Sequence, residues 1–316
     1  MVIGARTKWL LKGAVAIALL GWLLARVDLQ SLRRLISGQP LAGLLAAFLL
    51  QWAVIVVATA KWQLLLPGQG FVRLFRLNMA AQFYALVFPG QVAAEAVKAY
   101  QLGRGRIDAQ TIATSVLFDK VTSLIALLAL GLAGALTTEL SIGRTLKSAL
   151  LALFLVGIAA LLALRFQSIE AIAVRTVADA GKRFSKAQRL FGQLALVIRA
   201  WADYSSRPLP LWGSLVVGIV QQMLHIAIVV VLAGDLNLEI GLLEWCWIFT
   251  LVSIAALLPI SLAGAGVREG TFVGLLALFG IPGEQALALS LTLFALQVLL
   301  GLIGGAMELG RFAAAR

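Results

Sequence analysis

Cysteine and histidine are almost missing from this 316-residue chain, with Cys246 and His225 occurring once each. One cysteine excludes an intrachain disulfide and a cysteine metal cluster, and one histidine cannot by itself supply the three or four ligands of a zinc site. Charge is scarce as well, at 13% of residues, against 61% hydrophobic residues and a mean hydropathy of +0.99. No Ser-His-Asp order, H-E-x-x-H or phosphate-cradling P-loop occurs, so no catalytic residue, metal or cofactor is expected, nor ATP-driven transport by this chain alone. What charge there is leans positive, with 26 basic and 14 acidic residues. The basic residues lie in short loops between apolar stretches, a pattern that retains loops in the cytoplasm, and no nucleic-acid partner is expected.

Long apolar runs are what the chain has instead. Residues 9–25, 41–60, 112–137, 146–164, 211–233 and 286–308 are each long enough to cross a bilayer. One soluble core could not bury so much apolar surface. The sequence therefore predicts an all-α polytopic membrane bundle, a single integral membrane domain over residues 1–316, in the cell inner membrane. Arg6, Lys8 and Lys12 precede the first run and no A-x-A cleavage pattern follows, so it reads as an uncleaved span.

Two regions between the runs are irregular, residues 74–97 and 243–279. The first holds Pro89-Gly90, small residues, then Glu95 and Lys98; the second holds Pro259, Gly264 and Gly266, then Arg268-Glu269. Lipid tails offer no hydrogen-bond partners, so broken backbone at membrane depth survives only where protein or a water-filled cavity surrounds it. A pair of interrupted segments in corresponding halves of a chain points to a transporter's central site.

Positive charge fixes the expected topology. Residues 165–207 carry eight basic residues against Glu170, Asp179 and Asp203, which makes them a cytoplasmic connector between a first half, 5–164, and a second, 208–310. Residues 61–76 and 103–110 then read as cytoplasmic loops, residues 234–241 and 280–284 as external, and both termini as cytoplasmic. Residues 26–40 fall outside although they carry Arg26, Arg33 and Arg34. Each broken region enters and leaves by one face, the two from opposite faces, as re-entrant hairpins of an inverted repeat. Pairs of short, tilted, kinked spans satisfy the same charge pattern. In the connector, Phe184, Phe191, Leu194, Ile198 and Trp201 share one helical face, which suits either an interfacial helix on anionic lipid or an amphipathic connector packed on the bundle.

Six ionisable residues lie within the apolar regions: Glu95, Lys98, Asp119, Lys120, Arg268 and Glu269. A charge at the bilayer centre costs about 2.5–3.5 kcal/mol on insertion scales, which makes each a candidate for the translocation site. The signs occur in pairs, so a purely structural role stands beside the functional one. Glu95 and Lys98 can satisfy each other on one helix face, and Asp119 and Lys120 point to different faces and can tie helices together. His225, following Gln221 and Gln222, fits a buried hydrogen-bonding histidine.

Pro89-Gly90 through Ala99-Tyr100-Gln101-Leu102-Gly103-Arg104, Asp119-Lys120 opening a long apolar span, and Leu258-Pro259-Ile260-Ser261 through Gly266-Val267-Arg268-Glu269-Gly270 to Gly280-Ile281-Pro282 resemble the lysylphosphatidylglycerol synthase transmembrane region family. Its members are also called flippase-like domain proteins. The likeness runs from about Lys61 to Gly305. It implies an inner-membrane protein that moves lipids, such as aminoacylated phospholipids or lipid-linked species, between leaflets, with Glu95, Lys98, Arg268 and Glu269 lining the path. The family often has a basic residue where this chain has Gln91 and an acid where it has Ser123. With Arg316 as its last residue, the chain resembles the translocating half without a soluble aminoacyltransferase domain. The expected partners are membrane lipids and a possible separate synthase. A lipid-linked transferase and a non-transporting partner subunit are the rival readings.

Overall fold

The computed structural model describes residues 28–87, 91–103, 108–138, 144–163, 165–183, 188–257 and 266–314. The run at residues 9–25, together with Pro89, Pro259 and Gly264, lies outside them. The described residues form twelve α-helices and no strand. These are α1 (Leu29–Ser37), α2 (Leu41–Leu65), α3 (Phe71–Val87), α4 (Gln91–Gly103), α5 (Ala109–Thr137), α6 (Arg144–Ala163), α7 (Gln167–Arg183), α8 (Gln188–Ser206), α9 (Pro208–Asp235), α10 (Leu242–Leu257), α11 (Val267–Leu276) and α12 (Gly283–Ala314). A 3₁₀ turn, Ala277–Phe279, follows α11. Helices α2, α5, α6, α9 and α12 are long and apolar enough to cross a membrane.

Local chemistry sets the ends of these helices. The Asp108 carboxylate accepts from Gln110 N–H and Thr111 N–H, both at 3.0 Å, and so starts α5. The Thr111 hydroxyl and these amides hold the Asp108 carboxyl below the usual carboxylate range. Pro208 occupies the first turn of α9, where its missing N–H is no loss. Gly280 turns the chain left-handed (φ 71°) between the 3₁₀ turn and α12.

The expectation that residues 61–76 form a basic loop is corrected here. Helix α2 runs on through Leu64 and Leu65 and stops only before Pro67-Gly68, so Lys61 is helical and fully buried. The apolar residues after Lys61 continue the helical face, and only proline and glycine interrupt it.

Each half follows the same plan. Helices α2 to α5 correspond to α9 to α12: a long span, a two-armed hairpin, and a second long span. The halves are interlocked, because α2 packs on α9, α5 packs on the first arm of the second hairpin, α10, and α12 packs on the first arm of the first hairpin, α3. Glycines permit the last two contacts. Gly131 and Gly134 of α5 lie against Thr250 and the Leu243 carbonyl, and Gly301 and Gly304 of α12 lie against Leu86 and the Met79 carbonyl. The spacing of three is the same in both, which allows close backbone approach of the kind seen between membrane helices.

Each hairpin returns to the face it came from. The start of α3 meets the end of α4, where Arg73 reaches the Leu102 carbonyl (3.5 Å). The start of α10 lies by the end of α5, with the Thr138 hydroxyl donating to Glu244 (2.9 Å). The 3₁₀ turn that ends the second hairpin packs there too, Phe279 stacking on Trp247 of α10. One face therefore gathers Asp28, Asp235, Glu244 and Glu284, with Asp28 N–H donating to Glu284 (3.2 Å). The opposite face gathers Arg73, Arg207 and the α7–α8 connector. In that connector the end of α8 is packed on the bundle. Trp201 donates to the Leu161 carbonyl (3.3 Å) and Tyr204 to the Leu65 carbonyl (2.9 Å), while Leu194 stays exposed. Burial pushes the Tyr204 phenol up to about 12.

Candidate functional site

Where the two hairpins approach each other, a cavity of about 440 Å³ lies between the halves. Helices of both halves line it: Asn78 and Gln82 from α3, Glu95 and Lys98 from α4, Asp119 and Lys120 from α5, Gln221, Gln222 and His225 from α9, Arg268 from α11 and Gln297 from α12. Aromatic walls come from Trp62 and Phe272. Such a polar interior is costly among membrane helices, and hydrogen bonding and ion pairing offset that cost.

The charges on the first half form a shared network. Glu95 accepts Lys98 Nζ at 2.7 Å and Lys120 Nζ at 2.8 Å, one on each carboxylate oxygen. Lys98 also donates to Asn78 Oδ1 (3.2 Å), the Asn78 Nδ2 donates in turn to the Thr59 hydroxyl (3.0 Å), and the Lys98 ammonium stands 4.7 Å above the Trp62 ring. Asp119 and Lys120, adjacent in sequence, do not pair with each other. Asp119 Oδ1 instead takes Lys61 Nζ at 3.1 Å, and Lys61 donates further to the Asp119 carbonyl (2.8 Å) and the Ser123 hydroxyl (2.5 Å). Two hydrogen bonds and one ion pair thus surround the Lys61 ammonium and offset the cost of burying a lysine with no exposed surface.

The second half presents a tighter arrangement. Gly266 precedes α11 with φ 82°, ψ −44°, a conformation that only glycine adopts without strain. Its N–H donates to Glu269 Oε2 (2.6 Å), so the Glu269 side chain reaches back over the first turn of the helix. The other oxygen, Oε1, accepts from Arg268 Nε (3.1 Å), Arg268 Nη2 (2.5 Å) and the Ser290 hydroxyl (3.3 Å). Arg268 also donates to Ser290 (3.2 Å) and lies 5.1 Å from the Phe294 ring centre. The outcome is a division of labour within one dipeptide. Arg268 faces the cavity, whereas Glu269 stands behind it, 1% exposed, and holds both the arginine and the helix start.

Of the residues singled out in the sequence, the structure thus brings Glu95, Lys98, Asp119, Lys120 and Arg268 to one cavity. Gly266 and Glu269 lie directly behind it. Lys61 and Ser290 complete the ion pairs, and the sequence alone did not single them out. The signal for Lys61 was the helical continuation Trp62 to Leu65, which places the lysine one turn inside the span rather than at its edge. Ser290 gave no comparable signal, because a hydroxyl within a long span most often bonds its own helix backbone. His225 bonds the Gln221 carbonyl through Nδ1 (3.0 Å) and stacks on Phe249 (5.9 Å).

A bundle of this kind, with two inverted hairpins around a charged central cavity, defines a multi-pass membrane protein with an internal polar site. The chain belongs to the lysylphosphatidylglycerol synthase TM region family, whose model matches residues 9–305. No curated protein and no solved structure matches it.

Proposed function

We propose that this protein is a lipid transporter of the flippase type, moving a phospholipid or lipid-linked molecule between the leaflets of the cell inner membrane. The observation that carries the reading is the cavity itself: charged groups from both hairpins meet inside the bundle, where the hairpins enter from opposite faces. At about 440 Å³ the cavity falls within the range of about 300–1,000 Å³ typical of small-molecule sites. That accommodates a headgroup, with acyl chains left in the surrounding lipid. Family membership supports a lipid-related role. On the positive-inside rule the face with Arg73 and Arg207 is cytoplasmic, as are both termini. An anionic or aminoacylated phospholipid suits the mixed charge of the lining, and a separate synthase would supply an aminoacylated one. Transport rather than catalysis is favoured because the lining carboxylates are engaged in ion pairs and not poised for proton transfer.

The test is the full chain in liposomes containing a trace of headgroup- or chain-labelled fluorescent phospholipid. Dithionite added outside should reduce nearly all of the label, where protein-free vesicles protect the inner half. Protection identical to that of empty vesicles overturns the reading. Appearance of a chemically altered lipid without translocation assigns the protein to the transferases instead.

A further inference from the structure

The cavity's charges do not cancel. Seven charged side chains stand in or immediately behind its wall, Lys61, Lys98, Lys120, Arg268, Glu95, Asp119 and Glu269. Lys61 is closed on Asp119, and Arg268 is closed on Glu269 through two hydrogen bonds. The remaining three are two lysines on one carboxylate, Lys98 and Lys120 on Glu95. One positive charge is left over.

Exposure shows where that charge sits. The Lys98 side chain is 9% exposed and has Asn78 and the Trp62 ring as further partners. The Lys120 side chain keeps 46% of its surface accessible and lines the cavity. Among the described residues, its ion-pair partner is Glu95, and the Asp119 carboxylate is already closed on Lys61. Thirteen of the fourteen acidic residues lie among the described residues, and of these only Glu95 and Asp119 line the cavity. The fourteenth, Glu139, lies outside the described residues. A net charge inside a membrane bundle costs several kcal/mol unless a counter-ion meets it.

We propose that the Lys98–Glu95–Lys120 triad is an anion site whose Lys120 ammonium grips a phosphate ester, while Arg268 stays locked to Glu269 as a positioning pair on the opposite wall. The ligand class is a phosphate mono- or diester, and the shared chemistry covers a phospholipid's phosphate and free inorganic phosphate. The inference rests on the lipid-transport reading, since it names the group of the lipid that the cavity holds. Glu95 gives the site its tuning: it neutralises one lysine, leaving enough charge to attract a single phosphate and too little to hold it permanently.

The experiment measures thermal stabilisation of the full chain in neutral detergent by sodium phosphate, by dihexanoylphosphatidylglycerol and by dihexanoylglycerol, which lacks phosphate. Dihexanoylphosphatidylglycerol should stabilise the wild type and Lys120→Arg. Lys120→Gln should bind it about tenfold more weakly or worse, as expected for loss of one charge-assisted hydrogen bond. Dihexanoylglycerol should not distinguish the variants. A phosphate response that vanishes in Lys120→Gln supports the site with free phosphate as a ligand; a response to the lipid alone supports it with the headgroup as the ligand. Glu95→Gln, which removes the neutralising acid, should bind the phosphatidyl lipid more tightly, a gain that damaged folding does not produce. Unchanged binding by folded Lys120→Gln, or weaker binding by folded Glu95→Gln, overturns the proposal. Translocation measured in parallel keeps the two readings apart. Phosphate binding without translocation sinks the transport reading alone, and undiminished translocation by Lys120→Gln sinks the anion site alone.

Discussion

Lys61 Nζ lies 3.1 Å from Asp119 Oδ1, joining α2 to α5 with the lysine fully buried and the carboxylate at the cavity wall. Removing one partner leaves the other charge buried and unmatched. Lys61→Met or Asp119→Leu should each cost about 3–5 kcal/mol of stability. The double variant should be less damaged than either single one, because two apolar side chains leave no orphaned charge. Unfolding midpoints in detergent check this, and additive losses would show that the pair is not coupled.

The interlocking glycines give a second expectation. A Cβ on Gly134 would meet the Leu243 carbonyl, and one on Gly304 the Met79 carbonyl. Backbone cannot swing aside as a side chain can, so Gly134→Ala and Gly304→Ala should each destabilise by about 1–3 kcal/mol. Gly274, also helical, has nothing within 4 Å of such a Cβ. Gly274→Ala should match the wild type or exceed it by up to about 1 kcal/mol in the same unfolding assay.

Sidedness is open to chemical labelling. With Cys246 replaced by alanine, a cysteine at Glu239 and one at Gly68 lie on opposite faces of the bundle. An impermeant thiol reagent applied to intact cells should modify Glu239→Cys and spare Gly68→Cys until the membrane is opened. Labelling of both from outside would place the hairpins on one face and break the inverted arrangement.

A pH effect follows from Asp108. Its carboxyl, capping α5, titrates below the ordinary value in the folded chain. A depressed folded pKa means stability that is present above the unfolded pKa, about 3.9, and lost as pH falls through the folded one. Asp108→Ala should therefore lower stability by about 1 kcal/mol at neutral pH. The gap to wild type should narrow as pH falls below about 4 and the wild-type carboxylate protonates. Unfolding midpoints across that interval check it, and a constant gap would show that the carboxylate's charge is irrelevant to the cap.

Much of the architecture was legible before any coordinates. Runs such as residues 211–233 are apolar over most of their length, and a bilayer-length apolar run has few outcomes other than a span. The two hairpins were suggested by the proline and glycine interruptions in the sequence, while the loop charges fitted pairs of short spans equally well. The pairing of Glu95 with Lys98 on one helix face was legible; the pairing between helices was not. Glu95 meets Lys120 and Lys61 meets Asp119 only because α4, α5 and α2 converge, and nothing in local spacing encodes that convergence. Asp119 and Lys120 do tie α5 to different helices, though which ones the spacing does not encode, and they point to different faces because neighbours diverge by about 100° around the axis. Arg268 and Glu269 escape that limit because the long guanidinium folds back at the helix start, where Glu269 is already held by the Gly266 N–H.

The exchange of hairpins between halves has a consequence for how the protein is made. Helix α5 leaves the ribosome well before α10, its main partner, and the whole of α6 to α9 intervenes. The groove over Gly131 and Gly134 must therefore face lipid or an insertion chaperone during synthesis, and α3 must wait for α12 before its own cover arrives. Both covers thus arrive only after α9, and a chain cut short there would be inserted with the α3 and α5 grooves still open.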